Sequence, residues 1–144
     1  HFGVNGGLIT TGDDAGYIYS LYGFGMIREL ELHEEAGFHP LEVLEHATVN
    51  GAKLLGMDDR LGKVRVGDIA DLLVVNGNPL ENLSVLNPYG TDINMDNRDV
   101  HAGGIEWTIK DGVPYHGPTL MAEVKAMVAA ARATLAPQTT ASRP

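Results

Sequence analysis

The alternation of apolar and polar positions changes period several times along the chain, and each change marks an element. Leu8-Ile9-Thr10-Thr11 is a short β-prone run that meets Gly12-Asp13-Asp14-Ala15-Gly16. That pattern predicts a buried strand ending in a turn. Residues 1–7 read as a Gly-rich loop, and residues 12–23 as a long turn region holding Tyr17, Tyr19 and Tyr22. From Phe24 to Ala36 the spacing is helical. Met26, Ile27, Leu30 and Ala36 share a face with Phe24, Glu29, Glu31, Glu34 and Glu35 line other faces, and Gly37 is a C-terminal stop. Pro40 opens a second helix at its first turn, where a missing N–H costs nothing, with Leu41, Leu44, Ala47 and Thr48 at helical spacing. Asn50 predicts the cap of a third, short helix from Gly51 to Leu55, stopped by Gly56.

Beyond Met57 the period shortens. Leu61 to Asp68 alternates like a half-exposed strand, and Ala70 to Val75 is a continuous apolar run that predicts a buried strand, stopped by Asn76-Gly77-Asn78-Pro79. Residues 87–104 are polar and turn-rich and read as a surface excursion. Ile105 to Lys110 alternates cleanly, Asp111-Gly112 is a two-residue hairpin turn, and Val113-Pro114-Tyr115 returns. An Ala-rich amphipathic helix from Leu120 to Leu135 follows, then a frayed tail from Pro137 to Pro144. No internal repeat is present.

At 144 residues the chain can build one real core. No apolar run approaches the roughly 18 residues needed to span a bilayer. A formal charge of −9 with scattered Lys and Arg argues against nucleic-acid binding and against docking on anionic lipid. The absence of cysteine excludes disulfides and thiol nucleophiles and says nothing firm about compartment. A cytoplasmic location is the default expectation. The opening His1-Phe2-Gly3-Val4-Asn5-Gly6-Gly7 reads like a loop within something longer.

The chemistry gathers at residues 12–16. A strand that ends in acids and then feeds a helix is how an α/β enzyme presents a carboxylate at the carboxyl edge of its sheet. Asp14 is the candidate reactive group, with Asp13 as the alternative. The competing reading is structural, because Asp and Gly are ordinary turn and cap residues. Other signals fall away. Asp92 to Asp99 begins like a calcium loop, but Asn97 stands where Gly is needed and Gly103 where Glu is needed. His33 and His46 follow Glu29 and Glu42 by four residues, a spacing that gives surface pairs more often than metal sites.

Several stretches together resemble the metal-dependent amidohydrolase superfamily, specifically its C-terminal end. They are Thr11-Gly12-Asp13-Asp14-Ala15-Gly16, Glu35 to Glu42, Ala47 to Gly56, Leu61 to Val75, Gly77-Asn78-Pro79-Leu80 and Ile109 to Val113. Within the superfamily the pattern around Asp14 resembles the branch with prolidase-like and imidazolonepropionase-like members. The resemblance implies an α/β fold: the C-terminal fragment of a (β/α)8 barrel, with its last strand and helices, plus the C-terminal share of a small β-sandwich and a C-terminal helix. The expected divisions are 1–56 for the last βα unit, 57–117 for the sandwich portion and 118–144 for the helix and tail.

The same resemblance implies metal-assisted hydrolysis of a C–N bond in an amide, dipeptide or cyclic amide, using one or two divalent ions, zinc by family habit. Gly12-Asp13-Asp14-Ala15 stands where Gly-Thr/Ser-Asp-Ala is usual, which assigns the family's strand-eight aspartate to Asp14 as metal-associated general base. Asp13 departs from that pattern. Tyr17 and Tyr22 would lie over the substrate pocket. The family's His-x-His and its remaining ligands have no counterpart among His1, His33, His39, His46, His101 and His116. The chain is therefore expected to be a piece of an enzyme, inactive alone, completed by an N-terminal chain or prone to self-association through its orphaned strand. The rival from another class is a non-catalytic β-rich binding module.

Overall fold

The computed structural model describes residues 6–17 and 21–135. Tyr19, residues 1–5 of the expected opening loop and the tail from Pro137 lie outside them. Three helices come first: α1 (Gly25–Glu35), α2 (Pro40–Ala47) and α3 (Val49–Leu54). Helix α2 starts as its Pro40 predicts, and it is capped reciprocally. The His39 ring Nδ1 accepts the Leu41 N–H at 3.3 Å, while Glu42 Oε2 accepts the His39 N–H at 2.8 Å. Helix α1 lacks such a cap, and Phe24 at its head makes no side-chain cap bond.

The core forms where these helices meet a 3-10 turn, Leu83–Leu86. Ile27 and Leu30 from α1, Val43 from α2, and Leu83 and Leu86 from the turn make one buried cluster, with Phe38, Leu44, Ala47 and Val75 packed against it. The face of α2 differs from the expected one. Val43 and His46 are buried, whereas Leu41 is 52% exposed. A helix eight residues long presents a narrow stripe, and the side of that stripe is chosen by α1 and the 3-10 turn rather than by the largest aliphatic residues.

Strands β1 (Leu72–Val75), β4 (Ile105–Lys110) and β5 (Val113–His116) form an antiparallel sheet in the order β1-β4-β5. Strands β2 (Thr91–Met95) and β3 (Arg98–Ala102) form a separate hairpin. Both two-residue turns have positive φ at both positions, Asp96-Asn97 at 52° and 60° and Asp111-Gly112 at 50° and 79°, the geometry that matches strand twist. Asp71 ties the second turn back to β1: its Oδ2 accepts from Lys110 Nζ at 2.5 Å and its Oδ1 from the Asp111 N–H at 2.7 Å. Helix α4 (Gly117–Leu135) continues directly from β5 and leans on β4 and β5, with none of its residues buried. Trp107 on β4 lies against the His116 ring, with centroids 4.6 Å apart.

Three expectations are corrected here. Residues 8–11 form no strand, because no neighbouring strand is present among the described residues to complete a ladder. Residues 61–68 form turns instead of a half-exposed strand. Val64 and Val66 stand free in solvent, and Arg65 folds back on Asp68, donating from Nε at 3.0 Å and from Nη2 at 2.7 Å. The run ending at Val75 does become β1, but it is not buried throughout: Leu73 and Val74, on opposite faces of the sheet, are both exposed. The excursion at 87–104 lies at the surface as expected, and it carries the β2–β3 hairpin.

Candidate functional site

The acidic turn follows directly from the unpaired segment 8–11. Gly12 donates its N–H to Glu29 Oε1 on α1 at 3.3 Å, and three residues earlier the Ile9 carbonyl accepts from Asn50 Nδ2 on α3 at 2.9 Å. Asp14 sits in the left-handed region with φ at 45°, and its carbonyl accepts the Tyr17 N–H at 3.2 Å, closing a turn. Aspartate tolerates that conformation better than most residues. The Asp14 carboxylate is exposed and Asp13 is half-buried.

Both tyrosines are exposed, Tyr22 at 78%. Tyr17 projects 65% exposed. Tyr22 lies across the turn, so a Cβ built on Gly16 would fall 2.3 Å from its hydroxyl oxygen, and Gly16 has φ at 96°. The positive φ favours glycine there, whereas the exposed tyrosine ring above it could swing aside for a larger residue. The structure closes one turn between Asp14 and Tyr17 and lays the Tyr22 hydroxyl over Gly16 within it.

The histidines of α1 and α2 do not both make the surface pairs that their spacing predicts. His33 Nε2 is 3.4 Å from Glu29 Oε1, as the four-residue spacing predicts. His46, however, turns away from Glu42 and is buried, with its Nδ1 3.0 Å from His33 Nδ1 and Phe38 edge-on to its ring at 4.9 Å. Burial first, and then the neighbouring His33, hold the His46 pKa below the ordinary imidazole value.

A metal implied by family resemblance is tested against these donors. Asp14 offers one hard oxygen of the kind that binds a divalent ion. Among the described residues, no three His, Asp or Glu side chains converge. The described residues therefore do not form a three-ligand metal site by themselves. An open cleft of about 540 Å³ lies elsewhere, between the 101–106 segment and the start of α4, with His101, Glu106, His116 and Lys125 on its walls.

The sequence profile of the amidohydrolase family matches residues 1–95, well over half of the chain. The chain belongs to the amidohydrolase family. Its likeness to solved members is also structural. A candidate prolidase from Bifidobacterium longum superposes with a TM-score of 0.64 and 34% identity, covering 78% of this chain and 24% of that one. A Xaa-Pro dipeptidase with methionine bound in its active site superposes with a TM-score of 0.59 and 32% identity, covering 75% of this chain and 22% of that one. Among curated relatives, the 5-methylthioadenosine/S-adenosylhomocysteine deaminase of Syntrophobacter fumaroxidans is 37% identical over 91 residues, 60% of this chain and 20% of that protein. The chain thus spans about a fifth of the length of these amidohydrolases. The acidic turn, Asp14 and the Glu29 and Asn50 contacts all lie within the matched residues. Sequence reasoning found the turn and missed both contacts, since nothing local marks Glu29 or Asn50 as a partner of residues 9–12.

Proposed function

We propose that this chain is the C-terminal part of a metal-dependent amidohydrolase that hydrolyses a C–N bond, with a dipeptide as the favoured substrate class. The observation that carries the reading is the 32–34% identity to two dipeptidase-type structures over three quarters of the chain. The deaminase relative also acts on a C–N bond by its name, which supports the reaction class and leaves the dipeptide as the finer choice. In this reading residues 1–56 complete a (β/α)8 barrel, 57–117 complete a β-sandwich, and 118–144 form a C-terminal helix and tail. An N-terminal segment or a companion chain would supply the other barrel strands. Without it, Leu73, Val74 and the α4 face favour self-association.

Asp14 is the general base. A short carboxylate held in a closed turn accepts the proton of the attacking water and returns it to the leaving nitrogen. A divalent ion, zinc by family resemblance, would lower the pKa of that water. Tyr17, whose N–H closes the turn on Asp14, and Tyr22, whose hydroxyl lies over Gly16, border the approach to Asp14 and contact the substrate. The test is Asp14→Asn in the full-length protein, assayed on Xaa-Pro dipeptides. A loss of about 10²–10⁴-fold in kcat is expected for removal of a positioned base. Unchanged turnover would overturn the role given to Asp14.

A further inference from the structure

We infer that Glu29 and Asn50 are positioning residues for Asp14, acting as a two-point tether on the backbone that precedes it. The inference rests on the reading of Asp14 as the working carboxylate. Segment 8–11 has no ladder partner among the described residues, so its polar backbone groups need other partners. The Ile9 carbonyl, and the Gly12 N–H one residue past the segment, find them in side chains of two different helices. Asn50 of α3 holds the Ile9 carbonyl at 2.9 Å, and Glu29 of α1 holds the Gly12 N–H at 3.3 Å. Only Asp13 lies between the second anchor and Asp14, and the Asp14–Tyr17 turn closes the far side.

The Glu29 anchor is braced from behind. Glu29 and His33 side chains are only 23% and 16% exposed, and the carboxylate oxygen that accepts the Gly12 N–H is the one that faces His33 Nε2 at 3.4 Å. The contacts run in one line from the buried ring to the main chain. His46 Nδ1 lies 3.0 Å from His33 Nδ1, His33 Nε2 lies 3.4 Å from Glu29 Oε1, and the Gly12 N–H donates to that same carboxylate oxygen. A buried ring on α2 is thereby linked to the main chain two residues before Asp14. Side chains locked by such outer contacts are what hold a reacting group to its productive geometry. A misplacement of about 1 Å can cost about 10²-fold in rate.

The experiment uses the full-length protein with Glu29→Ala, Glu29→Gln, Asn50→Ala and Asp14→Asn, and reads two quantities. The first is amide hydrogen exchange at Gly12. The second is kcat and KM on a Xaa-Pro dipeptide. Glu29→Ala should speed Gly12 exchange by about tenfold or more and lower kcat by about 10–100-fold with KM within about twofold. Glu29→Gln keeps an acceptor oxygen and should restore both to within about fivefold. Asn50→Ala should also lower kcat, through the other anchor. Asp14→Asn should lower kcat by about 10²–10⁴-fold and leave Gly12 exchange slow. Unchanged Gly12 exchange in Glu29→Ala overturns the tether. Faster exchange with normal kcat, beside an impaired Asp14→Asn, overturns its positioning role alone. Unchanged turnover in Asp14→Asn overturns the reading of Asp14, while Gly12 exchange still judges the tether.

Discussion

Replacing Val43 and replacing Leu41 separate two accounts of how helix α2 packs. Both are aliphatic, both lie in the first turn or so of the helix, and leucine is the larger. Simple periodicity puts Leu41 on the core face, whereas the structure gives Val43 no solvent exposure and Leu41 more than half. Val43→Ala removes two carbons from a fully buried site, about 1.6 kcal/mol at ~0.8 kcal/mol per methylene. The void left behind, roughly 50 Å³ if neighbours stay in place, adds about 1 kcal/mol. The expected cost is therefore about 2–3 kcal/mol. Leu41→Ala removes more carbon, yet half of it is already wet and alanine is the better helix former, so its cost should stay below about 1 kcal/mol. Urea unfolding of the 144-residue chain followed by far-UV circular dichroism measures both, and an unchanged m-value would show that the difference lies in stability. Leu41→Ala costing more than Val43→Ala would refute the packing described for α2.

The histidine pair gives a prediction with a defined sign. Because the folded His46 pKa is below its unfolded value, the unfolded chain binds the proton more readily. Its contribution is fully present above about pH 6.5 and is lost as pH falls through the folded pKa, so stability should drop on acidification; His46→Gln should flatten that slope in denaturation curves between about pH 5 and 8. Glu42 and Glu45 on the same helix pull the other way and set how far the fall is deferred. Gly103→Ala should cost at least about 3 kcal/mol or prevent folding, since φ is 81° and the new Cβ would sit 2.5 Å from Val85 Cα, in backbone that cannot yield. Gly112→Asn, at φ 79° with open space around it, should cost less than about 1 kcal/mol; thermal melts of the two variants check the contrast.

What was legible in the sequence was local. Pro40 announced α2, Gly37 and Gly56 closed their helices, and Asp111-Gly112 announced the β4–β5 hairpin, because each signal lies within a few residues of the structure it makes. The β2–β3 hairpin was not legible. Its turn is Asp96-Asn97, without glycine, and its strands carry Asp92, Asn94, Arg98 and Asp99, which read as loop. The segment 61–68 shows the opposite failure, since alternation is necessary for a strand and pairing decides whether one forms. At the candidate site the acids could be read and their supports could not. Gly12 meets Glu29 across 17 residues and Ile9 meets Asn50 across 41, so only the folded chain reveals the tether.

The contact between Trp107 and His116 has a use beyond packing. Trp107 is the one tryptophan of the chain, and it sits on the β1-β4-β5 sheet, apart from the cluster of Ile27, Leu30, Val43, Leu83 and Leu86. Its emission therefore reports the sheet and its junction with α4, while far-UV ellipticity reports mainly the helices. The molecule carries two native probes on two different bodies. Coincident melting curves would mean that α1, α2 and the sheet unfold as one cooperative unit; an earlier loss of tryptophan signal would mean that the sheet opens while the helical core still stands.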